Sequence, residues 1–142
     1  MTAESMTIGV LGAKVGVQPR TIRFYEAKGL MPPPQRSQSG YRLYSEQDGQ
    51  RLQLIRVARS LGLSVRDVRE LMATVQHENC GSFQGQAARL IVGKLEQVEA
   101  KIQEMTALKE ELQRAIENLG QPAAGRDSAV LECTDCRCLG DL

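Results

Sequence analysis

The feature that most constrains the fold of this chain is an unbroken amphipathic segment from about residue 84 to residue 119. Its apolar residues recur every three or four positions, with Lys109 filling the one missing place. They are Ile91, Leu95, Val98, Ile102, Met105, Leu112, Ile116 and Leu119. A helix of this length extends about 50 Å, which is too long to pack on a domain that a chain of 142 residues can build. We therefore predict that it pairs with a copy of itself as a coiled coil.

Two short helices are predicted near the N-terminus. Thr7 is a favourable N-cap for a first helix over residues 8–15, and Gly16 allows the tight turn that follows. A second helix is predicted over residues 18–28, with a proline tolerated in its first turn and a glycine ending it. Two short helices joined by a turn of small residues are typical of a helix-turn-helix.

Residues 31–44 change character and predict a small β-hairpin. Pro32–Pro34 cannot continue a helix, and Gly40 lies between residues that favour strands. We interpret this hairpin as a wing beside the second helix. Ser45 and Ser64 are favourable N-caps for a third and a fourth helix. The expected fold is therefore mainly α, with an N-terminal winged helix-turn-helix.

Charge is distributed unevenly along the chain. Residues 1–75 carry eleven Lys and Arg against six Asp and Glu, a net charge of +5, whereas residues 76–142 carry a net charge of −4. A basic half joined to an acidic half suits a nucleic-acid-binding module with a second function attached. The apolar stretches fall short of the ~20 residues that a membrane span needs, and the N-terminus lacks the pattern of a secretory signal. We therefore expect a cytoplasmic protein without membrane contact.

The second predicted helix presents side chains that are suited to reading DNA. Arg and Gln can bond base edges in the major groove, while Thr, Lys and further Arg contact phosphates. These residues are Gln18, Arg20, Thr21, Arg23 and Lys28, and the wing adds Tyr41, Arg42 and Tyr44. Ile22, Phe24 and Tyr25 are expected to pack against the domain. Arg23 has a second possible role, which is an internal salt bridge.

An enzymatic role is not expected from this sequence. The only histidine, His77, lies in a predicted linker, and no serine, cysteine or carboxylate has an evident partner for acid–base or nucleophilic chemistry. The sequence also lacks a glycine-rich phosphate loop and a dinucleotide-binding fingerprint. These observations favour a binding protein over a catalyst.

Three of the four cysteines are clustered near the C-terminus. Cys133, Cys136 and Cys138 place three thiols within six residues, so that a flexible loop can wrap them around one soft cation. Thiolate ligands favour mercury, cadmium, lead or zinc over magnesium or manganese. Asp135 and His77 are further candidate ligands, although a lone histidine in a polar linker is more often solvated. The sequence therefore predicts a tail that binds a soft metal ion.

These patterns divide the chain into four predicted regions. Residues 1–75 form a winged helix-turn-helix DNA-binding domain, and residues 76–83 form a polar linker. Residues 84–119 form the dimerisation helix, and residues 120–142 form a cysteine-containing tail that binds an effector.

Three sequence motifs resemble the MerR family of transcription regulators. They are TIRFYEAKGL at residues 21–30, GYRLY at residues 40–44 and LGLSVRDV at residues 61–68. The resemblance implies an antiparallel dimer coiled coil and a homodimer bound to a near-palindromic operator in promoter DNA. It also implies that effector binding distorts the DNA so that RNA polymerase can use the promoter. By position, it gives DNA-contacting roles to Arg20, Thr21, Arg23, Tyr25, Tyr41 and Arg42.

Within this family the cysteines resemble those of the heavy-metal-sensing branch. Cys80 resembles a cysteine that lies just before the dimerisation helix in these relatives and reaches the partner's metal loop. The resemblance therefore implies a site made of Cys80 from one chain and Cys133, Cys136 and Cys138 from the other. Two features depart from the pattern: the end of the long helix carries no cysteine, and Cys80 lies about one turn further from the helix than in the relatives.

A SoxR-like redox sensor is the alternative within the same family. That branch holds a [2Fe–2S] cluster on a Cys-x-x-Cys-x-Cys motif followed by a fourth cysteine. The first three positions match Cys133, Cys136 and Cys138, but no fourth cysteine follows them. Because such a cluster needs four ligands, Cys80 would have to supply the last one across the dimer. Both readings give a metal-dependent effector site on the same cysteines.

Overall fold

A computed structural model of the chain describes residues 5–77 and 79–120, without the side chains of Gln76 and His77. Within these residues, helices and one antiparallel two-stranded sheet follow one another along the chain. They are α1 (Ile8–Val15), α2 (Pro19–Ala27), β1 (Gln35–Arg36), β2 (Arg42–Leu43), α3 (Glu46–Ser60), α4 (Val65–His77) and α5 (Cys80–Leu119). This order confirms the mainly α fold with an N-terminal helix-turn-helix, a small hairpin and a long C-terminal helix.

The turn between α1 and α2 brings these two helices close together. The Thr7 hydroxyl accepts a hydrogen bond from the Val10 N–H at 3.4 Å, as expected for an N-cap. A Cβ atom on Gly12 would lie 2.4 Å from the carbonyl oxygen of Val17, so this close approach requires glycine. Gly16 ends α1 with a φ of +75°, the left-handed region that favours glycine. These local contacts set the direction in which the chain enters α2.

The wing is attached to the segment that precedes α1. Within the hairpin, Arg36 of β1 lies opposite Arg42 of β2. Met6 and Tyr44 exchange both of their backbone hydrogen bonds, at 2.8 and 2.9 Å. The sequence pattern did not predict this pairing, because it joins residues that are far apart in the chain. It fixes the base of the wing to the start of the helix-turn-helix.

One cluster of buried apolar side chains holds α1 to α4 and the base of the wing together. Its members are Leu11, Val15, Ile22, Tyr25, Leu30, Met31, Tyr44, Leu52, Ile55, Ala58, Leu63, Val68, Leu71 and Met72. Ile22 and Tyr25 are buried as expected, but Phe24 is 44% exposed, so the expectation that it packs against the domain is wrong. Residues 22 and 25 are three apart and share one helix face, whereas residue 24 projects from another side of α2.

Serines precede both α3 and α4 as caps, as the sequence predicts. At α3, Ser45 and Asp48 form a capping box: the Ser45 hydroxyl accepts the Asp48 N–H, and the Asp48 carboxylate accepts the Ser45 N–H at 2.7 Å. At α4, the Asp67 carboxylate accepts the N–H and the hydroxyl of Ser64, at 2.9 and 2.6 Å. These two hydrogen bonds hold the pKa of Asp67 below its usual range.

α5 begins earlier than its apolar pattern predicts. It starts at Cys80 and not near residue 84, and α4 continues to His77, so most of the predicted linker is helical. At the first turn, the Asn79 side chain accepts the Ser82 N–H at 3.0 Å and satisfies one of the free donors of the helix terminus.

Packing accounts for the early start of α5. Phe83, Ala87 and Leu90 are partly buried against the core cluster, and they recur on one face of the helix. Phe83 precedes the segment in which the apolar repeat can be recognised. A short series of tertiary contacts therefore extends the helix beyond what its own periodicity indicates.

The chain separates into two structural units, the first ending at Lys94 and the second beginning at Leu95. We call the first unit the head. In the second unit, α5 continues to Leu119 with no buried residue. Its large apolar side chains are 44% to 68% exposed, and they are Leu95, Val98, Ile102, Met105, Leu108, Leu112, Ile116 and Leu119. None of the helices in the described residues is long and apolar enough to cross a membrane.

Candidate nucleic-acid interface and cysteine site

The outward face of α2 carries most of the side chains that the sequence assigns to DNA contact. Gln18, Arg20, Arg23 and Lys28 are exposed, and Thr21 is half-buried. The opposite face of this helix lies on the core. The core thus holds α2 on one side and leaves its cationic and amide side chains free on the other, which is the arrangement of a helix that enters a DNA groove.

Arg23 keeps its charge available at this surface. Among the described residues it has no carboxylate within 4 Å, so the internal salt bridge offered as its alternative role is not observed there; Glu26, on the same helix, pairs with Arg42. Its DNA-contacting role stays a prediction, and the exposure of its side chain supports it.

Tyr25 is placed differently from the other predicted contacts. It is only 8% exposed and belongs to the core cluster. Its ring lies 5.8 Å from that of Phe24, with the two planes tilted by 55°. A contact between Tyr25 and DNA stays a prediction that could involve only a small part of this side chain.

Phe24 lies among the charged side chains of the outward face. The Lys28 ammonium lies 5.8 Å from the centre of the Phe24 ring, within the range of a cation–π interaction. The hydrophobic character of phenylalanine favours a core position, which is not where the structure places this residue. Its position one turn before Lys28 and one turn after Arg20 would have placed it on the outward face.

The tip of the wing presents Tyr41 to solvent. The turn that carries it is held by two hydrogen bonds with Ser37: the Ser37 N–H donates to the Tyr41 carbonyl at 2.9 Å, and the Ser37 hydroxyl accepts the Tyr41 N–H at 3.1 Å. Arg36 also donates to the Gly40 carbonyl, at 2.9 Å. Tyr41 therefore projects from a well-defined turn.

The base of the wing is joined to α2 through Glu26. The Tyr44 hydroxyl donates a hydrogen bond to Oε1 of Glu26, and Nε of Arg42 lies 3.3 Å from Oε2. Nε of Arg42 is buried and is not aligned for a hydrogen bond, so its contact with Glu26 is an ion pair. Burial raises the pKa of the Tyr44 hydroxyl, and the hydrogen bond to Glu26 raises it further. The expectation that Tyr44 presents a polar tip to DNA is wrong, because this residue is 1% exposed.

A second polar contact holds the segment that follows α2. Nε of Arg51, on α3, donates to the Leu30 carbonyl at 2.8 Å. Burial lowers the pKa of this guanidinium, and the charge of Asp48 opposes that shift. Arg51 therefore ties the segment after α2 to α3, although its residue type alone would place it among the DNA-binding cations.

The structure describes only one of the four predicted thiol ligands. Cys80 is the first residue of α5, and its thiol is free and exposed. Cys133, Cys136 and Cys138 lie outside the described residues, as do Asp135 and the side chain of His77. Within residues 5–77 and 79–120, no three His, Cys, Asp or Glu side chains converge as a metal site would require. The four-thiolate site stays a prediction.

Comparisons with known proteins identify what this chain is similar to. Residues 6–75 match the model described as MerR HTH family regulatory protein, and residues 50–115 match the model described as MerR, DNA binding. The transcriptional regulator ZntR of Escherichia coli K12 is 39% identical over 110 residues, which is 75% of each chain. The mercuric resistance operon regulatory protein of Bacillus cereus is 36% identical over 116 residues, which is 79% of this chain and 73% of that protein.

A solved structure extends the likeness to the tertiary fold. The transcription regulator PbrR691 of Ralstonia metallidurans, in complex with lead(II), superposes with a TM-score of 0.69 at 32% identity. The match covers 89% of this chain and 97% of that one.

Proposed function

Because the chain belongs to the MerR family of transcription regulators and to its metal-sensing branch, we propose that it binds promoter DNA as a homodimer and responds to a soft metal ion. It is a DNA-binding regulator and not an enzyme. The observation that carries the DNA-binding part is the outward face of α2, where Arg20, Arg23 and Lys28 stand exposed beside the wing. Cationic side chains on a helix of this kind neutralise phosphates and read base edges.

The homodimer is supported by the unburied apolar face of the second unit. Side chains such as Ile102, Leu112 and Ile116 are more than half exposed, although their transfer from water is favourable by about 1.5–3 kcal/mol each. Their spacing of three and four is that of a coiled-coil seam. We propose that a second copy covers them in an antiparallel pair, which would place two α2 helices on one near-palindromic operator.

The effector site is proposed on Cys80, Cys133, Cys136 and Cys138, with Cys80 supplied by one protomer and the other three by its partner. The donor chemistry fits mercury, cadmium, lead or zinc, since all four groups are thiols and Cys80 is free and exposed. Bound metal would supply fixed bonds between the two protomers. We propose that these bonds favour a dimer geometry that distorts the promoter so that RNA polymerase can use it.

An anaerobic titration of the reduced protein with each metal tests the sensor. We expect ultraviolet charge-transfer bands that saturate at a fixed number of metal ions per dimer, and weaker binding in the Cys80→Ser variant. Visible absorption of the protein as isolated, bleached by reduction and accompanied by iron and sulfide, would instead establish the [2Fe–2S] alternative. Absence of both signals would contradict an effector site on these cysteines.

Mixed dimers test whether the site lies between protomers. One chain carries Cys80→Ser, and the other carries Cys133→Ser, Cys136→Ser and Cys138→Ser. Neither chain has a complete ligand set, but the mixed dimer has one complete set if Cys80 acts across the dimer. We expect one tightly bound ion per mixed dimer and none in either parent homodimer. Failure of the mixed dimer to recover binding would show that the ligands come from a single chain.

DNA binding is tested with duplexes that the wild-type protein itself selects from a random library. Arg20→Ala should weaken binding by roughly tenfold, as expected for loss of a base or phosphate contact. Arg114→Ala removes one positive charge from the face of α5 opposite the seam, and it is the matched control. Equal DNA affinities of the two variants would show that Arg20 does not contact DNA.

A further inference from the structure

The wing and α2 are joined by a carboxylate whose role no sequence pattern indicates. Glu26 lies near the C-terminal end of α2, and its side chain is 11% exposed. One of its oxygens accepts the Tyr44 hydroxyl, and the other lies 3.3 Å from Nε of Arg42. Residues 42 and 44 are two apart and project from the same side of the wing strand. A single side chain of α2 therefore contacts two side chains of the wing.

This carboxylate is unexpected next to a surface proposed to bind a polyanion. An unpaired negative charge there would repel phosphate, and a buried carboxylate without partners is costly. The ion pair with Arg42 offsets both effects. It also restricts Arg42, a long side chain that is otherwise free to adopt many rotamers.

Arg42 remains able to contact a phosphate while it is paired. Its Nε is fully buried against Glu26, yet one third of its side chain is exposed to solvent. A guanidinium has donors on Nε and on both terminal nitrogens, so the pairing through Nε does not consume its capacity. The inward contact fixes the direction in which the outer part of the group points.

We propose that Glu26 is a positioning residue that holds Arg42 in the conformation in which it contacts a DNA phosphate, so that α2 and the wing bind as one unit. This inference rests on the proposed DNA binding. Its physical basis is preorganisation: the rotamers of Arg42 are restricted before DNA arrives, and less conformational entropy is lost on binding. Tyr44 contributes by holding the Glu26 carboxylate from its other side.

Positioning and charge predict opposite effects of Glu26→Gln on DNA affinity. Glu26→Gln removes a negative charge from a DNA-binding surface, which by charge alone would strengthen binding. If Glu26 positions Arg42, the same substitution weakens binding. Glu26→Asp keeps the charge but shortens the side chain by one methylene, so it tests reach without changing the electrostatics.

The experiment measures DNA affinity at several salt concentrations by fluorescence anisotropy, with full-length protein and two duplexes. One duplex is selected from a random library by the wild-type protein, and the other has a mixed sequence. Arg42→Ala should weaken both complexes. It should also reduce the magnitude of the negative slope of log K against log[salt] by about 1 per protomer. We expect Glu26→Gln and Glu26→Asp to weaken binding by roughly three- to tenfold, with a slope shifted toward that of Arg42→Ala.

A double mutant separates positioning from a purely structural role. In the Arg42→Ala background, Glu26→Gln should cause no further weakening, because the group that it positions is absent. Tyr44→Phe removes the hydroxyl that holds the Glu26 carboxylate, so it should shift the salt slope in the same direction as Glu26→Gln but by less. Leu52→Ala, in the core and outside this network, is the control: it should lower thermal stability and leave the salt slope nearly unchanged. Variant folding is verified by circular dichroism before titration.

Two results would overturn the proposal. One is wild-type or tighter binding by both Glu26 variants with an unchanged salt slope. The other is equal weakening by Glu26→Gln in the presence and absence of the Arg42 side chain. If the wild-type protein binds neither duplex, the proposed DNA binding itself fails and this inference fails with it. Should Glu26→Gln not fold, Glu26→Asp and the Arg42→Ala slope still decide the question.

Discussion

The head and the C-terminal half of α5 differ in where their apolar side chains go. The head buries a continuous cluster, including Leu11, Ile22 and Leu52 at 0% exposure. From Leu95 to Leu119, α5 buries nothing, although its apolar residues are as regularly spaced as those of any core helix. The head is therefore stabilised by contacts within one chain, whereas we propose that the long helix is stabilised by a second copy. Changes in the two regions should differ in kind as well as in size.

Charged residues in the exposed seam should have the largest effect. Ile102→Glu combined with Leu112→Glu would place carboxylates in the proposed dimer interface, where an unpaired charge costs several kcal/mol. We expect the dimer to dissociate at micromolar concentration and DNA affinity to fall about 100-fold or more, because a monomer contacts one half-site only. Sedimentation velocity and fluorescence anisotropy measure the two effects.

The control adds the same charge to the opposite face of the same helix. Ala100→Glu with Ala107→Glu should leave the dimer and its DNA affinity nearly unchanged. A dimer that survives Ile102→Glu with Leu112→Glu would contradict the assignment of this seam and remove the contrast between the two regions.

A cavity in the head should have the next largest effect, and it should not depend on protein concentration. Leu52→Ala truncates a fully buried side chain, which typically costs about 3 kcal/mol. Urea denaturation at two protein concentrations measures the effect. We expect the same decrease in the free energy of unfolding at both concentrations.

Leu112→Ala provides the comparison, since its effect on α5 should vary with concentration through dimerisation. If Leu52→Ala were equally sensitive to concentration, the head would not be an independent folding unit.

Loss of a helix cap in the head should have a smaller effect. Ser45→Ala removes the hydroxyl that accepts the Asp48 N–H at 3.2 Å, and it should lower the free energy of unfolding by about 1 kcal/mol. Ser39→Ala, an exposed serine in the wing turn, is the control and should change stability little. Equal values for the two variants would show that the capping box does not stabilise α3.

The smallest effect should be a pH dependence at the start of α4. The Ser64 hydrogen bonds depress the pKa of Asp67 in the folded state. A depressed pKa contributes stability above the unfolded pKa of about 3.9, and this contribution is lost as pH falls through the folded value. Between about pH 5 and 3, wild-type stability should therefore decline more steeply than that of Asp67→Asn. Parallel pH profiles in chemical denaturation would argue against this linkage.

Several elements of the head could be predicted because their determinants are local. Thr7, Ser45 and Ser64 cap helices with donors at most three residues away, and Gly16 ends α1 through its own backbone conformation. The repeat in α5 predicted a long helix for the same reason. Its true start was not predicted, because Phe83 and Ala87 are held by contacts with the core and not by the repeat.

The candidate interface could be predicted less completely. Arg20, Arg23 and Lys28 are exposed on α2 as expected, but Tyr44 is buried and Phe24 is not. Residue type was a poor guide at these positions, since an aromatic side chain is suited equally to a core and to a DNA surface. The proposed metal ligands in the tail lie outside the described residues, so the predictions about them rest on the sequence alone.

The sequence by itself determined the order and extent of most helices, the exposed cations of α2 and the membership of the family, because these depend on periodicity, caps and motifs within short windows. Only the tertiary structure decided the role of Glu26. Its partner Tyr44 lies 18 residues away, and the two meet only after the core has set the wing against α2. A pattern read along the chain carries no information about such a pair, since the contact is created by folding.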